Sequence, residues 1–479
     1  MYTSAFFDHC FEAIFGIVHR PHFEDRLRAH FEQDSKDVTE DIAWYALRNT
    51  IYAAGCRQLL LREQSVKYAQ AQAEAFRYFY RAFQVQTDLM YGPPTLEAVR
   101  ALTAMMFYAD STGNQYFEYM MCANTVGLAQ ARGLHRQPSK ALQLSPVEVM
   151  HRNWLWWAIY CCENKVSFRS GRPSFINDAN ISCNIPDQAP PGSTINVAFF
   201  KHAIKIGQYT AQIHRRITSV ATIRQDATQF VQTMNESKEQ IEIWRESMGD
   251  GFAVGQPIKP ERLPPNVRPL HITYLHFAYY AGIQAVFTVF TCPWLSAFLN
   301  IDSDPLFRLQ AANKATQVAE AARGIILMFK AMELNAGLPA WATFYFPMSA
   351  FTSLFVFVVN SPNSPTVQAD LSLLDIAAGH FSHMEYLTSL ELGASFSREA
   401  ARLAREVVGK ARSKPATRMG SSNPQEDLDM NASTVSIPQL ESFQADEFDY
   451  EGWNMYSLDV ANVWSGESDF LDFTKFSPQ

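Results

Sequence analysis

The sequence predicts an all-α protein, a large multi-helix bundle of stacked helical hairpins with a disordered acidic C-terminal tail. Three observations lead there: apolar residues recur with the helical period along most of the chain, alternating strand patterns are scarce, and the composition changes abruptly near residue 412. Two domains follow, a helical body over 1–412 and a basic-to-acidic tail over 413–479.

Taken in order, 69–91 is rich in Ala, Gln and aromatic residues at helical spacing, and a helix after Pro94 carries Leu96, Val99, Leu102 and Met106 on one face. Ser145-Pro146-Val147-Glu148 gives the clearest start: a capping serine, proline at the first helical position, and a glutamate placed to return the bond. Val147, Met150, Trp154, Trp157 and Cys161 then share a stripe, predicting one long amphipathic helix that ends at Gly171 in a left-handed cap. A helix after Pro305 carries Leu306, Leu309, Val318, Ile325 and Phe329 on one face, and 398–412 supports a last helix before Pro415. Proline and glycine mark 184–196 and 248–269 as long connections. No repeat recurs at a fixed period.

With 479 residues, 47% of them hydrophobic and 18% charged, the chain can bury a sizeable core. A net charge of -8 excludes a protein that grips a phosphate backbone with its whole surface. The seven cysteines (10, 56, 122, 161, 162, 183 and 292) have irregular spacings and no Cys-x-x-Cys, which reads as buried reduced thiols of an intracellular protein, without disulfides or a structural zinc. Asp8, His9 and Glu12 interrupt the first residues, so no signal peptide is expected. The nearest thing to a membrane span is 277–299; Gly282, Gln284 and Cys292-Pro293 break it, so it reads as a core helix, and 351–359 is too short to cross. No membrane partner is expected.

The tail differs in kind. Residues 398–420 hold seven basic and two acidic residues, net +5, whereas 421–479 hold twelve acidic residues and Lys475, net -11. Nine aromatics, among them Phe448, Tyr450, Trp453, Trp464, Phe470 and Phe473, alternate with those acids. Charge repulsion keeps such a segment from collapsing and leaves its rings free for a partner's apolar groove, the composition of an activation segment that would engage transcription machinery or a coactivator. Lys410, Arg412 and Lys414 form a basic hinge that reads either as a nuclear-import address or as complement to a helix C-terminus.

Catalytic signatures are missing. The sequence holds no Gly-rich phosphate loop, His-Glu-x-x-His, Gly-x-Ser-x-Gly elbow or aspartate-rich diphosphate motif, so no enzyme, cofactor or metal is expected in this chain. His380, His383 and Glu385 share a helical face but lack further ligands in register and read as surface or core residues. The alternative is a helical enzyme or hydrophobic-ligand carrier whose pocket uses His380, His383 and Tyr386.

The motifs also occur in a recognisable order. Phe15-Gly16-Ile17-Val18-His19-Arg20-Pro21-His22-Phe23 comes first, then Ala131-Arg132-Gly133-Leu134-His135-Arg136, and then the helix with Trp154, Trp156 and Trp157. Glu163, Gly171-Arg172-Pro173 and Ile181-Ser182-Cys183-Asn184-Ile185-Pro186 follow. Over about residues 2–390 this resembles the fungal-specific transcription factor domain, or middle homology region, of zinc binuclear-cluster regulators. The resemblance implies a nuclear regulator of RNA polymerase II transcription, controlling a metabolic or secondary-metabolite gene cluster. Dimer formation and a small-molecule inducer belong to the same expectation. The family's six-cysteine zinc cluster has no counterpart in this sequence, so DNA readout, and zinc with it, is expected from a segment outside it or from a partner chain. Where the family commonly has Asp-Arg, this chain has Glu163-Asn164, leaving a salt bridge of Glu163 with Lys165 or Arg172. Structurally, the tryptophans should anchor several helices, and Arg172 should fork onto a carboxylate or helix-end carbonyls.

Overall fold

The computed structural model describes residues 1–32, 41–62, 66–193, 195–217, 219, 227–290, 305–332, 334–389 and 394–413. All regular structure among these residues is helical, as the sequence predicts. The helices are α1 (Tyr2–His9), α2 (Arg20–Glu32), α3 (Ile42–Arg62), α4 (Tyr68–Gln84), α5 (Gln86–Tyr91), α6 (Leu96–Asp110), α7 (Gln115–Ala131) and α8 (Pro146–Ser170). They continue with α9 (Val197–Ile217), α10 (Ala227–Glu246), α11 (Pro269–Phe287), α12 (Pro305–Leu327), α13 (Phe346–Asn360), α14 (Val367–Leu387) and α15 (Phe396–Ser413). The tail beyond Ser413, with Lys414 and the six candidate activation residues Phe448, Tyr450, Trp453, Trp464, Phe470 and Phe473, lies outside the described residues.

Neighbours in sequence are neighbours in space: α3 packs on α1, α4 and α6, α6 on α7, α7 on α8, α8 on α9, and the row continues through α11 and α12 to α15. One apolar core runs from Phe6 to Val408, so the long connection over 248–269 does not divide the body. Aromatic contacts close the row on itself. Phe11, ahead of α2, meets Tyr274 of α11 at 5.6 Å between ring centroids and Trp341, just before α13, at 4.7 Å. Arg268 reinforces the closure, donating to the carbonyls of Asp8 (2.8 Å) and Cys10 (3.0 Å) at the end of α1.

Two helices are more deeply placed than their periodicity predicts. The expected amphipathic helix, α8, is buried on every side from Arg152 to Ser170, and α6 is buried nearly all round from Ala98 to Asp110, not on one face. Each lies between neighbours, so a stripe chosen from the largest apolar residues captures only one of its contacts. The helix from Pro305 does keep one buried face, with Val318, Ile325 and Phe329 inside; the side chains of Leu306 and Leu309 lie outside the described set.

The apolar runs also fall differently. Of the 277–299 run, the part to Phe287 is α-helical and Thr288–Phe290 form a short 3-10 turn, while 291–300 lie outside the described residues. Among the described residues the helix long and apolar enough to cross a bilayer is Trp341–Asn360, with 67% of its most apolar stretch buried within the protein. The 351–359 run, too short by itself, is part of a longer helical stretch: a π-turn over Trp341–Tyr345 leads into α13 and places Pro347 in its first turn. The six described cysteines are free and buried.

Candidate functional site

Helix α8 organises the motif residues. Its start is the expected reciprocal cap: Ser145 Oγ accepts the Glu148 N–H (3.2 Å) while the Glu148 carboxylate accepts the Ser145 N–H (2.8 Å). Gly171 closes the other end at φ +66, a left-handed geometry that glycine adopts without strain.

The opening motif is seated on this helix. Trp154 donates its indole N–H to the Phe15 carbonyl at 2.7 Å and stacks on Phe200 at 4.4 Å. Gly16 sits at φ +63, and a Cβ there would lie 2.2 Å from Ile195 Cδ1 and 2.6 Å from Trp154 Nε1. His19 donates through Nε2 to the Pro191 carbonyl at 2.8 Å, and Pro21 lies against Gly192. Arg20 pairs with Asp8 (2.6 Å) and Glu24 (2.7 Å), while Phe23 is buried against Trp44.

From the other side come the end of α7 and the loop after α8. The Gly133 and Leu134 N–H groups return to the carbonyls of Gln130 (2.9 Å) and Ala129 (3.0 Å), with Gly133 at φ +72 and Leu134 fully buried. The His135 carbonyl then accepts from Ser182 (3.0 Å) and Cys183 (3.2 Å), and its ring sits 5.7 Å from Trp156. Trp157 donates to the Asn184 carbonyl at 3.0 Å. Pro186 is buried, whereas Ile185 and Arg136 are exposed. Motifs scattered over 170 positions of sequence thus interlock around α8.

Glu163 and Arg172 do not behave as the sequence suggests. The expected salt bridge of Glu163 with Lys165 or Arg172 is not formed: Glu163 accepts from Ser167 (2.8 Å), Ser174 (2.9 Å) and the Phe175 N–H (2.8 Å). Burial pushes its carboxyl up to about 7 despite those three donors. Arg172 lies over the Tyr119 ring at 5.5 Å, with Nη1 shielded and unbonded, instead of forking onto a carboxylate or carbonyls. The Pro173 carbonyl is held by the Tyr119 hydroxyl (2.8 Å).

Lys165 belongs to a buried charge network that sequence reasoning missed. It pairs with Asp110 at the end of α6; Arg169, one turn on, bonds the other Asp110 oxygen at 2.9 Å and also pairs with Glu118 of α7. The Lys165 ammonium sits 5.5 Å from the rings of Phe11 and Trp341, and Arg169 lies over Tyr345 at 4.3 Å. Tyr345 donates to the Gly113 carbonyl at 2.9 Å, so the start of α7 and the π-turn are joined at the same place. Burial pushes the Glu118 carboxyl up to about 7, against the pull of Arg169. Burial also works against the Arg169 guanidinium, but Glu118 and Asp110 outweigh it and its value rises. The signal was available: Lys165 and Arg169 stand one turn apart directly after the apolar run Trp154–Cys162, where charges are buried and need partners.

The pocket of the alternative reading is not assembled. His380 is buried, bonded to the Thr343 carbonyl (2.7 Å) and stacked on Phe329, whereas His383 and Tyr386 are exposed and Glu385 pairs with Arg398. Among the described residues no group of three or more His, Cys, Asp or Glu is placed to hold a metal. Lys410 and Arg412 stand exposed on the last turn of α15.

A family model, the fungal specific transcription factor domain, matches residues 3–245. The chain belongs to that family. It is 26% identical over 452 residues to an ABC-transporter-regulating transcription factor of Aspergillus fumigatus, covering 90% of this chain and 49% of the relative. A protein with the same description from Aspergillus oryzae is 26% identical over 424 residues, covering 84% and 46%. The Fusaridione A cluster transcription factor of Fusarium heterosporum is 28% identical over 170 residues, covering 36% of this chain and 31% of that one. The chain spans about half the length of the first two relatives. No solved structure matches it. These relatives are all described as transcription factors.

Proposed function

We propose that this chain regulates RNA polymerase II transcription in the nucleus without catalysing a reaction, its helical body serving as regulatory scaffold and its acidic-aromatic tail as activator. The observation that carries the reading is the interlocking of the family's motifs around α8. The polar groups of His19, Trp154 and Trp157 and the His135 carbonyl are spent on Pro191, Phe15, Asn184, Ser182 and Cys183, so they fix the shape of the body. DNA would be read by a zinc cluster outside this sequence or by a partner chain, and a dimer or a small-molecule inducer would act by favouring one arrangement of the body. The descriptions of the relatives that cover most of the chain point to transporter genes as targets, with a metabolite cluster as the second possibility.

Fusing residues 421–479 to an unrelated DNA-binding module tests the activator role. Reporter transcription well above the module alone is the expected result, and Trp453→Ala with Trp464→Ala should lower it. A silent reporter removes the activator role. Import is tested with a fluorescent fusion of the full chain: Lys410→Ala, Arg412→Ala and Lys414→Ala together should move it from nucleus to cytoplasm.

A further inference from the structure

The connection between α7 and α8 is a basic loop on the surface. Residues 132–145 include Arg132, Arg136 and Lys140 and no acid. Every residue from Ser139 to Gln143 is exposed, Leu142 by 59%. Residues 136–139 belong to no helix, and Ser139 itself is extended at φ −65 and ψ 146, its Oγ accepting the Ala141 N–H at 3.2 Å. Arg136, three positions ahead of that serine, is exposed and has no acidic partner among the described residues.

An arginine three positions before a serine or threonine recurs at Ser65, Thr103, Thr218, Ser219 and Ser421. Ser65, Thr218 and Ser421 lie outside the described residues. Thr103 is fully buried in α6, donating to the Val99 carbonyl at 2.7 Å, and the arginine ahead of Ser219, Arg216, is paired with Glu236 at 2.6 Å. Of the described positions, Ser139 alone joins exposure and a non-helical backbone to an arginine that no carboxylate holds.

We propose that Ser139 is a phosphorylation site for a serine kinase that reads basic residues, with Arg136 entering the acidic subsite of the kinase cleft. In the transfer, Ser139 Oγ attacks the γ-phosphorus of ATP. The Oγ–P bond forms as the bond from that phosphorus to the bridging oxygen of ADP breaks, the hydroxyl proton passes to the kinase's catalytic carboxylate, and nothing is oxidised or reduced. Gln137 ties the stretch to the body: its N–H donates to Ser182 Oγ at 3.2 Å, and its Oε1 accepts from the Asn184 N–H at 3.0 Å and from Asn153 at 3.3 Å. The bonds to Ser182 and Asn184 are open to solvent, so water can replace them as the stretch is drawn into a cleft. Once attached, a phosphate of about −1.5 to −2 between Arg136 and Lys140 cancels most of the positive charge of the loop. Its oxygens can also accept the Ala141 N–H in place of the hydroxyl.

The test incubates the full chain with ATP and a calcium–calmodulin-dependent protein kinase, whose minimal requirement is arginine at that third position, and maps phosphate by mass spectrometry. A peptide of residues 132–144 serves as the unfolded reference. Ser139 of the folded chain should be modified with kcat/KM within about tenfold of the peptide's. Ser139→Ala should remove that phosphate. Arg136→Ala should lower kcat/KM at least about tenfold through loss of a charge-assisted contact in the cleft, whereas Arg132→Ala, an exposed cation seven positions from the serine, should leave it unchanged. Unchanged thermal melting shows that the variants fold. Modification of the peptide with none at Ser139 of the folded chain, modification of neither, equal rates for wild type and Arg136→Ala, or phosphate at 65, 218 or 421 with none at 139 each overturn the proposal. The site does not depend on the activator reading: a silent reporter in the fusion described above leaves it untouched, and an unmodified Ser139 leaves the activator role untouched.

Discussion

The junction of α6, α7 and α8 and the seam between α14 and α15 both contain several ion pairs, and they use them in opposite ways. At the junction, Asp110, Glu118, Lys165 and Arg169 are all at least 92% buried, and their signs cancel. Along α15, Arg402 with Glu399 and Glu406 on the same helix, and Arg405 with Asp375 of α14, are about half exposed, and across the seam exposed Arg398 reaches the buried Glu385. Water already solvates the second set, so its pairing adds little. The first set has given up its hydration, and its members tolerate burial only while every partner stays in place. Charge pairing therefore specifies the position of α8 and merely decorates α15.

The sharpest way to break this contrast is Arg169→Leu. It leaves Glu118 buried without its cation and Asp110 with one partner fewer, and it removes the guanidinium from the ring of Tyr345. The expected loss is about 3–5 kcal/mol in urea unfolding, the range for breaking a buried pair by deleting one side. If the two carboxylates are the cause, adding Glu118→Gln to Arg169→Leu should recover part of that loss. No recovery would mean that the cost lies in packing alone.

The uneven legibility of the molecule follows from the same physics. The α8 cap was readable because Ser145, Pro146 and Glu148 act within one turn, and the Gly171 stop because only local backbone geometry is involved. The depth of α6 and α8 was not, since periodicity measures which face is most apolar and not how many neighbours a helix touches. Lys165 and Asp110 are 55 positions apart, and Trp154 and Phe15 139, distances over which no spacing rule operates. Arg172 was misread for a related reason: the carboxylate near it in sequence, Glu163, is taken by Ser174 and Phe175, leaving the arginine on an aromatic ring. Order and spacing of the motifs thus disclosed the family, while the joints that make them one site required the fold.

Glu163 allows a finer test, because it is buried near the junction and has no ionic partner among the described residues. Its carboxyl rises from 4.5 to about 7 through burial, so between those values the folded protein holds more protons than the unfolded chain. Its contribution therefore favours the fold below about pH 4.5 and declines as pH rises through 7, by on the order of 3 kcal/mol at about 1.4 kcal/mol per unit. Glu163→Gln should lose this dependence, so variant and wild type diverge toward pH 8 in the variant's favour. Buried histidines act oppositely: His271 is lowered to about 3, and His276 and His380 to about 4, each by burial. Their contribution is complete above pH 6.5 and is lost as pH falls toward those values, so His380→Gln should blunt acid unfolding between pH 6.5 and 4. Urea midpoints measured at half-unit intervals separate the two slopes.

The smallest effects complete the comparison. Ser145→Ala removes the side-chain half of the α8 cap at an exposed position, where about 1 kcal/mol is expected because the freed Glu148 N–H can bind water. Arg402→Ala, which deletes two surface pairs at once, should leave the urea midpoint unchanged within error. The ordering is what matters. A single cap hydrogen bond outweighing two complete ion pairs is expected only if solvent has already compensated the charges of α15, and if Arg402→Ala proves the costlier change, those pairs stabilise the helix after all.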